Sequence, residues 1–202
     1  MAAELDPRIQ PSQARAKATV ARILETAALL LEEVGVDGFN TNLLAARAGV
    51  RVRSVYRYFP NKLAVIRALA ERNAQKTAEL FAGFAPMEEP DVGRAVEATL
   101  TAFVTIAREL PGRSAVRRAM QATPELRAFE REVNVQLTAQ LAAIFGRRSR
   151  RPAGELEVIA RTVIEASGAL LDLALVDDVA RADQYLAELR ALLTAYLGTA
   201  LR

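Results

Sequence analysis

The sequence predicts an all-α protein: a three-helix N-terminal domain followed by a C-terminal helical bundle, about nine helices altogether. Three observations predict it. Apolar residues make up 51% of the 202 and recur at helical rather than alternating spacing. Ala and Leu abound while Gly (10) and Pro (8) are few, a composition that favours helix. Those few breakers fall at intervals that cut the chain into helix-length pieces.

The first dozen residues, with Pro7 and Pro11, read as a flexible arm over 1–12. Helix 1 is expected from near Ser12 to about Val34, with Val20, Ile23, Leu24, Ala27, Leu31 and Val34 on one side and Gly35 as its stop. Asn40 is a good cap for a second helix through Ala48, which Gly49 ends. A third short helix over 52–59 places Val55 and Phe59 one turn apart. Pro60 and Asn61 break the chain and start a fourth helix, about 61–84. After a linker at 86–91, helices are expected near 91–109, 113–122, 124–146, 153–177 and 181–201. Pro111, Pro124, the 146–152 run and Asp177–Asp178 separate them.

Two short helices joined by a Gly turn, after a longer one, form either a helix-turn-helix or an ordinary αα-hairpin. The charge distribution bears on that choice. Residues 1–76 hold 12 Lys/Arg against 7 Asp/Glu, and the rest hold 15 against 17. No acid occurs between Asp37 and Glu71, where Arg47, Arg51, Arg53, Arg57, Lys62 and Arg67 all fall. Such a stretch suits a polyanion, and a solvated basic face would look the same.

Cys and His are both absent, which removes thiolate and imidazole chemistry and most transition-metal sites. With no carboxylate cluster and no Gly-rich phosphate loop, an enzyme is not expected, nor is a cofactor or metal. The N-terminus shows no signal-like run, and the apolar 163–176 stretch is short and broken by Glu165 and Asp172. No membrane span is expected, and the protein is expected in the cytoplasm.

The stretch GVDGFNTNLLAARAGVRVRSVYRYFPNK over 35–62 resembles the DNA-binding signature of TetR-family repressors. Asn40-Thr41, Leu44-Ala45, Ala48-Gly49-Val50, the aromatic run Val55 to Phe59 and Asn61-Lys62 carry the resemblance, which covers about residues 15–70. Arg51 stands where the family often has a capping Ser, and Arg53 where a small residue is common. The resemblance implies a DNA-binding domain over 13–62 and a ligand-binding and dimerisation domain over 63–202, with helix 4 connecting them.

In a helix-turn-helix the second helix enters the major groove. Arg51, Val52, Arg53, Ser54, Tyr56 and Arg57 then face the duplex, with Arg53 or Arg57 open to either a guanine or a phosphate. Thr41 and Asn42 present side chains and free N–H groups to phosphate. By resemblance, Tyr58 and Lys62 touch the sugar-phosphate backbone. Val55 and Phe59 are expected in the core. Arg15 and Lys17 either brush phosphate or belong to a solvated arm.

The resemblance further implies a small-molecule pocket and a dimer interface on the last two helices. Phe84, Phe103, Met120, Phe129 and Leu137, with Arg117 and Gln121 as polar anchors, are candidates for the first; plain core is their other reading. Ala166, Gly168, Leu170, Leu186, Leu189, Leu193 and Tyr196 are candidates for the second, and burial within their own domain is the other reading. The function so implied is a ligand-responsive repressor that binds a palindromic operator as a homodimer. Control by a partner protein instead of a small molecule is the alternative.

Overall fold

A computed structural model describes residues 4–9, 12–84, 91–176 and 179–202. Among them are nine helices and no strand: α1 (Ala14–Gly38), α2 (Thr41–Arg47), α3 (Val52–Tyr58), α4 (Lys62–Phe84), α5 (Val92–Glu109), α6 (Arg113–Ala122), α7 (Pro124–Gly146), α8 (Ala153–Val176) and α9 (Val179–Ala200). The expected all-α architecture holds, with each helix within a few residues of its sequence-based bounds. α1 runs past its expected stop, but its regular part ends at Gly35 (φ 65°, ψ −177°), where the backbone kinks.

The chain packs as two compact units. The first comprises residues 1–74 and 109–131, the second 75–108 and 132–202. The cuts fall inside α4 and α7 and at the end of α5, and α6 packs on α1 within the first unit. Gly112, with φ 75°, opens α6, and its N–H donates to the Glu32 carboxylate at 2.6 Å. A Cβ on Gly112 would lie 2.5 Å from the Ala28 carbonyl oxygen, so only glycine permits this approach.

In the first unit Ile23, Leu30, Leu31, Phe39, Leu44, Val55, Phe59, Val65, Ile66 and Leu69 are sealed from solvent, joined by Val116 of α6 and Leu126 of α7. Met120 is buried in the same core, and Phe129 packs against it. Met120, expected at a pocket, is a core residue of this unit.

The second unit is built from the rest of α4, α5, the later part of α7, and the α8–α9 hairpin. Its core gathers Val96, Leu100, Leu141, Phe145, Leu156, Ile159, Ala160, Leu171, Leu189, Leu193 and Leu197. Arg190 of α9 pairs with Glu97 of α5. Two of the dimer candidates, Leu189 and Leu193, are buried in the core of their own unit. The wide apolar surface of α9 serves two faces, and helical periodicity does not say which face turns inward. Ala166, Gly168, Leu170, Leu186 and Tyr196 are half-buried, while Val158 and Leu173 of α8 and Leu192 of α9 are exposed.

Candidate nucleic-acid interface

The helix-turn-helix is fixed by caps and by one left-handed residue. The Asn40 side-chain oxygen accepts from the Leu43 N–H at 2.9 Å, closing the first turn of α2. Gly49 (φ 62°) turns the chain out of α2, and the Val50 N–H returns to the Ala45 carbonyl at 3.0 Å. α3 has no side-chain cap: Arg51 stands at the N-cap and only its carbonyl takes part, accepting from the Ser54 N–H at 2.7 Å. The Asn61 side chain opens α4 by accepting from the Ala64 N–H at 3.0 Å.

α3 is held on the core by Val55, Tyr58 and Phe59, all buried. That anchoring turns Arg51, Arg53, Tyr56 and Arg57 to solvent, with Val52 and Ser54 half-buried beside them. Thr41 and Tyr56 share a hydrogen bond at 3.0 Å between their hydroxyls, which ties the start of α2 to the exposed face of α3. Thr41 is itself buried, whereas Asn42 is exposed. The Arg57 guanidinium lies over the Tyr58 ring at 5.8 Å.

The stretch without acids in the sequence is not without acids in space. Arg47 makes a two-pronged pair with Glu33 of α1, both bonds at 2.8 Å. Their hydrogen bond, then their opposite charges, hold the Glu33 carboxyl below its ordinary pKa and raise that of Arg47. Arg67 contacts Asp6 at 2.7 Å and Glu71 at 3.1 Å, and lies over the Phe129 ring at 4.8 Å. The Lys62 ammonium donates to the Val36 carbonyl at 3.1 Å. Among the described residues, Arg51, Arg53 and Arg57 have no carboxylate partner. Within the stretch from Asp37 to Glu71, the described arginines without a carboxylate partner are these three at α3.

Tyr58, expected at the sugar-phosphate backbone, is buried in the core with only 6% of its surface exposed. It helps to seat α3 on that core. Within the N-terminal arm, residues 4–8 are tied down: Leu5 packs against the core, and backbone and side-chain bonds hold its neighbours. The Arg8 N–H donates to the Tyr58 carbonyl at 2.9 Å, and the Asn61 side chain donates to the Glu4 carbonyl at 2.7 Å. No local sequence signal marks these contacts, because they join residues about fifty positions apart.

The effector candidates divide between the units. Arg117, Met120, Gln121 and Phe129 belong to the first, with Gln121 exposed; Phe103 and Leu137, both half-buried, belong to the second. The Phe84 side chain lies outside what the structure describes. Among the described residues no group of acids could hold a metal ion, and no helix is long and apolar enough to cross a membrane.

Residues 23–69 match the family model for bacterial regulatory proteins of the tetR family, and residues 90–201 match the tetracyclin repressor-like C-terminal domain. A TetR-family transcriptional regulator from Streptomyces coelicolor has a similar structure at a TM-score of 0.68 and 32% identity, over 91% of this chain and 99% of that one. The SmeT–triclosan complex shares the fold at a TM-score of 0.65 and 21% identity, over 90% of each chain. The nucleoid occlusion factor SlmA of Haemophilus ducreyi is 32% identical over 108 residues, 53% of either chain. The class A tetracycline repressor of Escherichia coli is 49% identical over 49 residues, 24% of this chain and 23% of that protein. The match thus spans about half the length of the first of these curated relatives and about a quarter of the second.

Proposed function

The chain belongs to the TetR family of bacterial regulatory proteins, which are DNA-binding transcriptional regulators and not enzymes, and from that premise we propose a homodimeric repressor released from a palindromic operator by a small molecule. The observation that carries the DNA contact is the solvent face of α3, where Arg51, Arg53 and Arg57 stand exposed without a carboxylate partner among the described residues. In this reading α3 lies in the major groove, with Arg53 or Arg57 on a guanine edge. Asn42, at the start of α2, faces phosphate with the neighbouring backbone N–H groups. Lys62 adds its charge close to the backbone while its ammonium braces α4 to the end of α1.

Dimerisation is proposed through α8 and α9. Ala166, Gly168, Leu170, Leu186 and Tyr196 would be covered further there, together with the exposed Val158, Leu173 and Leu192. Two-fold symmetry then sets two α3 helices about one DNA turn apart, ~34–36 Å or somewhat more. An effector that prefers another spacing of the two shifts the population away from the operator-binding form. Within the second unit Phe103 and Leu137 favour an apolar or amphipathic effector; the like-folded SmeT was solved with triclosan. The likeness to a protein named for nucleoid occlusion supports control by a partner protein as the second reading.

The test is a titration of a fluorescent duplex, selected by the protein from a random pool, across ionic strength. Neutralising 6–10 phosphates makes affinity fall by roughly 10³-fold or more between about 50 and 200 mM salt. A flat response would sink the duplex-binding role of α3. A panel of apolar small molecules that dissociates the complex supports the effector reading; release only by a protein fraction supports the second.

A further inference from the structure

α3 is seven residues long, too short to hold itself together in water. Its last carbonyls have no partners inside the helix, apart from that of Val55, which accepts from the Phe59 N–H at 2.9 Å. Two of the others are met by a single residue from the start of the chain. The Arg8 N–H donates to the Tyr58 carbonyl at 2.9 Å, and the Arg8 guanidinium reaches the Tyr56 carbonyl at 3.4 Å. That guanidinium also lies at the negative end of the helix, where a cation is favoured.

The segment that carries Arg8 is anchored on both sides of the turn after α3. Leu5 packs into the core, the Glu4 carbonyl accepts from the Asn61 side chain at 2.7 Å, and Asp6 pairs with Arg67 of α4 at 2.7 Å. Asn61 caps α4 with its other side-chain atom. Residues 4–8 therefore bridge the end of the recognition helix and the beginning of the next.

We propose that residues 4–8 form a strap that sets the orientation of α3 for base reading, with Arg8 as a positioning residue and not a phosphate contact. The proposal rests on the reading that α3 enters the major groove. Tyr56 and Arg57 sit in the last turn of α3, the part that frays when its carbonyls lose their caps. Fraying displaces these two side chains from base edges but leaves the number of cations facing the duplex unchanged. Discrimination between sequences falls, and the electrostatic grip does not.

The experiment measures affinity for a duplex selected from a random pool by the wild-type protein, and for a scrambled duplex of the same composition. Arg8→Pro removes both the N–H and the guanidinium; Arg8→Ala keeps the N–H and removes only the guanidinium. Losing a backbone cap is worth roughly three- to tenfold, so Arg8→Pro is expected to lower the ratio of the two affinities by that factor with an unchanged salt slope. Arg8→Ala is expected to lower it less. An unchanged ratio in Arg8→Pro overturns the proposal. So does an equal loss on both duplexes in Arg8→Ala with the slope shortened by about one phosphate per subunit, which would make Arg8 a phosphate ligand. Should Arg8→Pro not fold, deletion of residues 2–8 makes the same comparison with the same readings. A wild-type protein that prefers no duplex overturns both this proposal and the reading beneath it, whereas a wild-type preference that survives in the variants overturns the strap alone.

Discussion

The two units close their cores to different degrees. In the first, Ile23, Leu44, Val55 and Ala64 are 0% exposed and Phe39 and Phe59 at most 2%, whereas among the described residues of the second only Ala160 and Leu189 reach 0% and most of the core lies between 4% and 9%. On their surfaces the second unit carries Val135, Val158, Leu173 and Leu192, and the first carries Ile9, Leu29 and Tyr56. A unit that must present α3 at a fixed angle seals its interior with its own residues. A unit proposed to pair with a copy of itself leaves apolar side chains for that copy to cover.

The sharpest way to break this contrast is to place a charge on each side of α9. Leu193 lies in the second unit's core, so Leu193→Glu is expected to cost several kcal/mol of stability and to leave little folded protein in a urea titration. Leu192, its exposed neighbour, gives a different outcome. Leu192→Glu combined with Leu173→Glu is expected to keep the helical signal and melting temperature while light scattering reports monomers. Holding one half-site instead of two, those monomers are expected to bind the selected duplex roughly 10²-fold more weakly or worse. A double variant that remains dimeric would place the interface elsewhere.

A smaller effect separates reading from gripping on the first unit. Arg53→Ala is expected to cost ~1–3 kcal/mol on the preferred duplex and to relax preference at one base pair. Lys62→Ala is expected to weaken every duplex alike. It is also expected to lower stability by ~1 kcal/mol, because its ammonium holds the Val36 carbonyl. Identical base preferences in the two variants would erase the distinction between the faces of α3 and α4.

The same contrast governs what was legible in the sequence. The helix-turn-helix could be read almost to the residue because its signals are local: the Asn40 cap, the Gly49 turn, and the Val55 and Phe59 spacing each act within one turn of chain. The α8–α9 hairpin follows its sequence signals, yet nothing local marks Leu189 and Leu193 as members of the unit's own core. A helix that is apolar on two sides carries no local mark of which side has the partner. Charge misled in another way. Arg47 and Arg67 looked free in a stretch without acids, but Glu33 and Asp6 return to them from distant positions. The strap was hidden for that reason too, since Pro7 and Pro11 suggest looseness while the bonds of Glu4 and Arg8 are made to Asn61 and Tyr58.

The smallest expected effect compares two carboxylates, one in each unit. Glu33 and Glu79 are both held below the ordinary glutamate pKa. For Glu33 the cause is the Arg47 hydrogen bond and charge; for Glu79 it is hydrogen bonds from Gln75 and Lys76, then the Lys76 charge. A carboxyl whose folded pKa is lowered takes up its proton less readily folded than unfolded. The stability it lends is present above the ordinary value, about 4.3, and is lost as pH falls below that toward the lowered one. The consequences differ by what each pair joins. Glu33 and Arg47 link α1 to α2, while Lys76 and Glu79 lie within one turn of α4. Acidification below about pH 4 should therefore loosen the packing of α2 before it affects α4 near residue 79. Carboxyl NMR titration is expected to give both groups depressed midpoints, with faster amide exchange confined to α2 over that range. Glu33→Gln should show the same faster exchange at neutral pH and no further acid-dependent step there. Equal acid sensitivity of α2 in the wild-type and Glu33→Gln proteins would mean that the pair, though well formed, does not hold α2 in place.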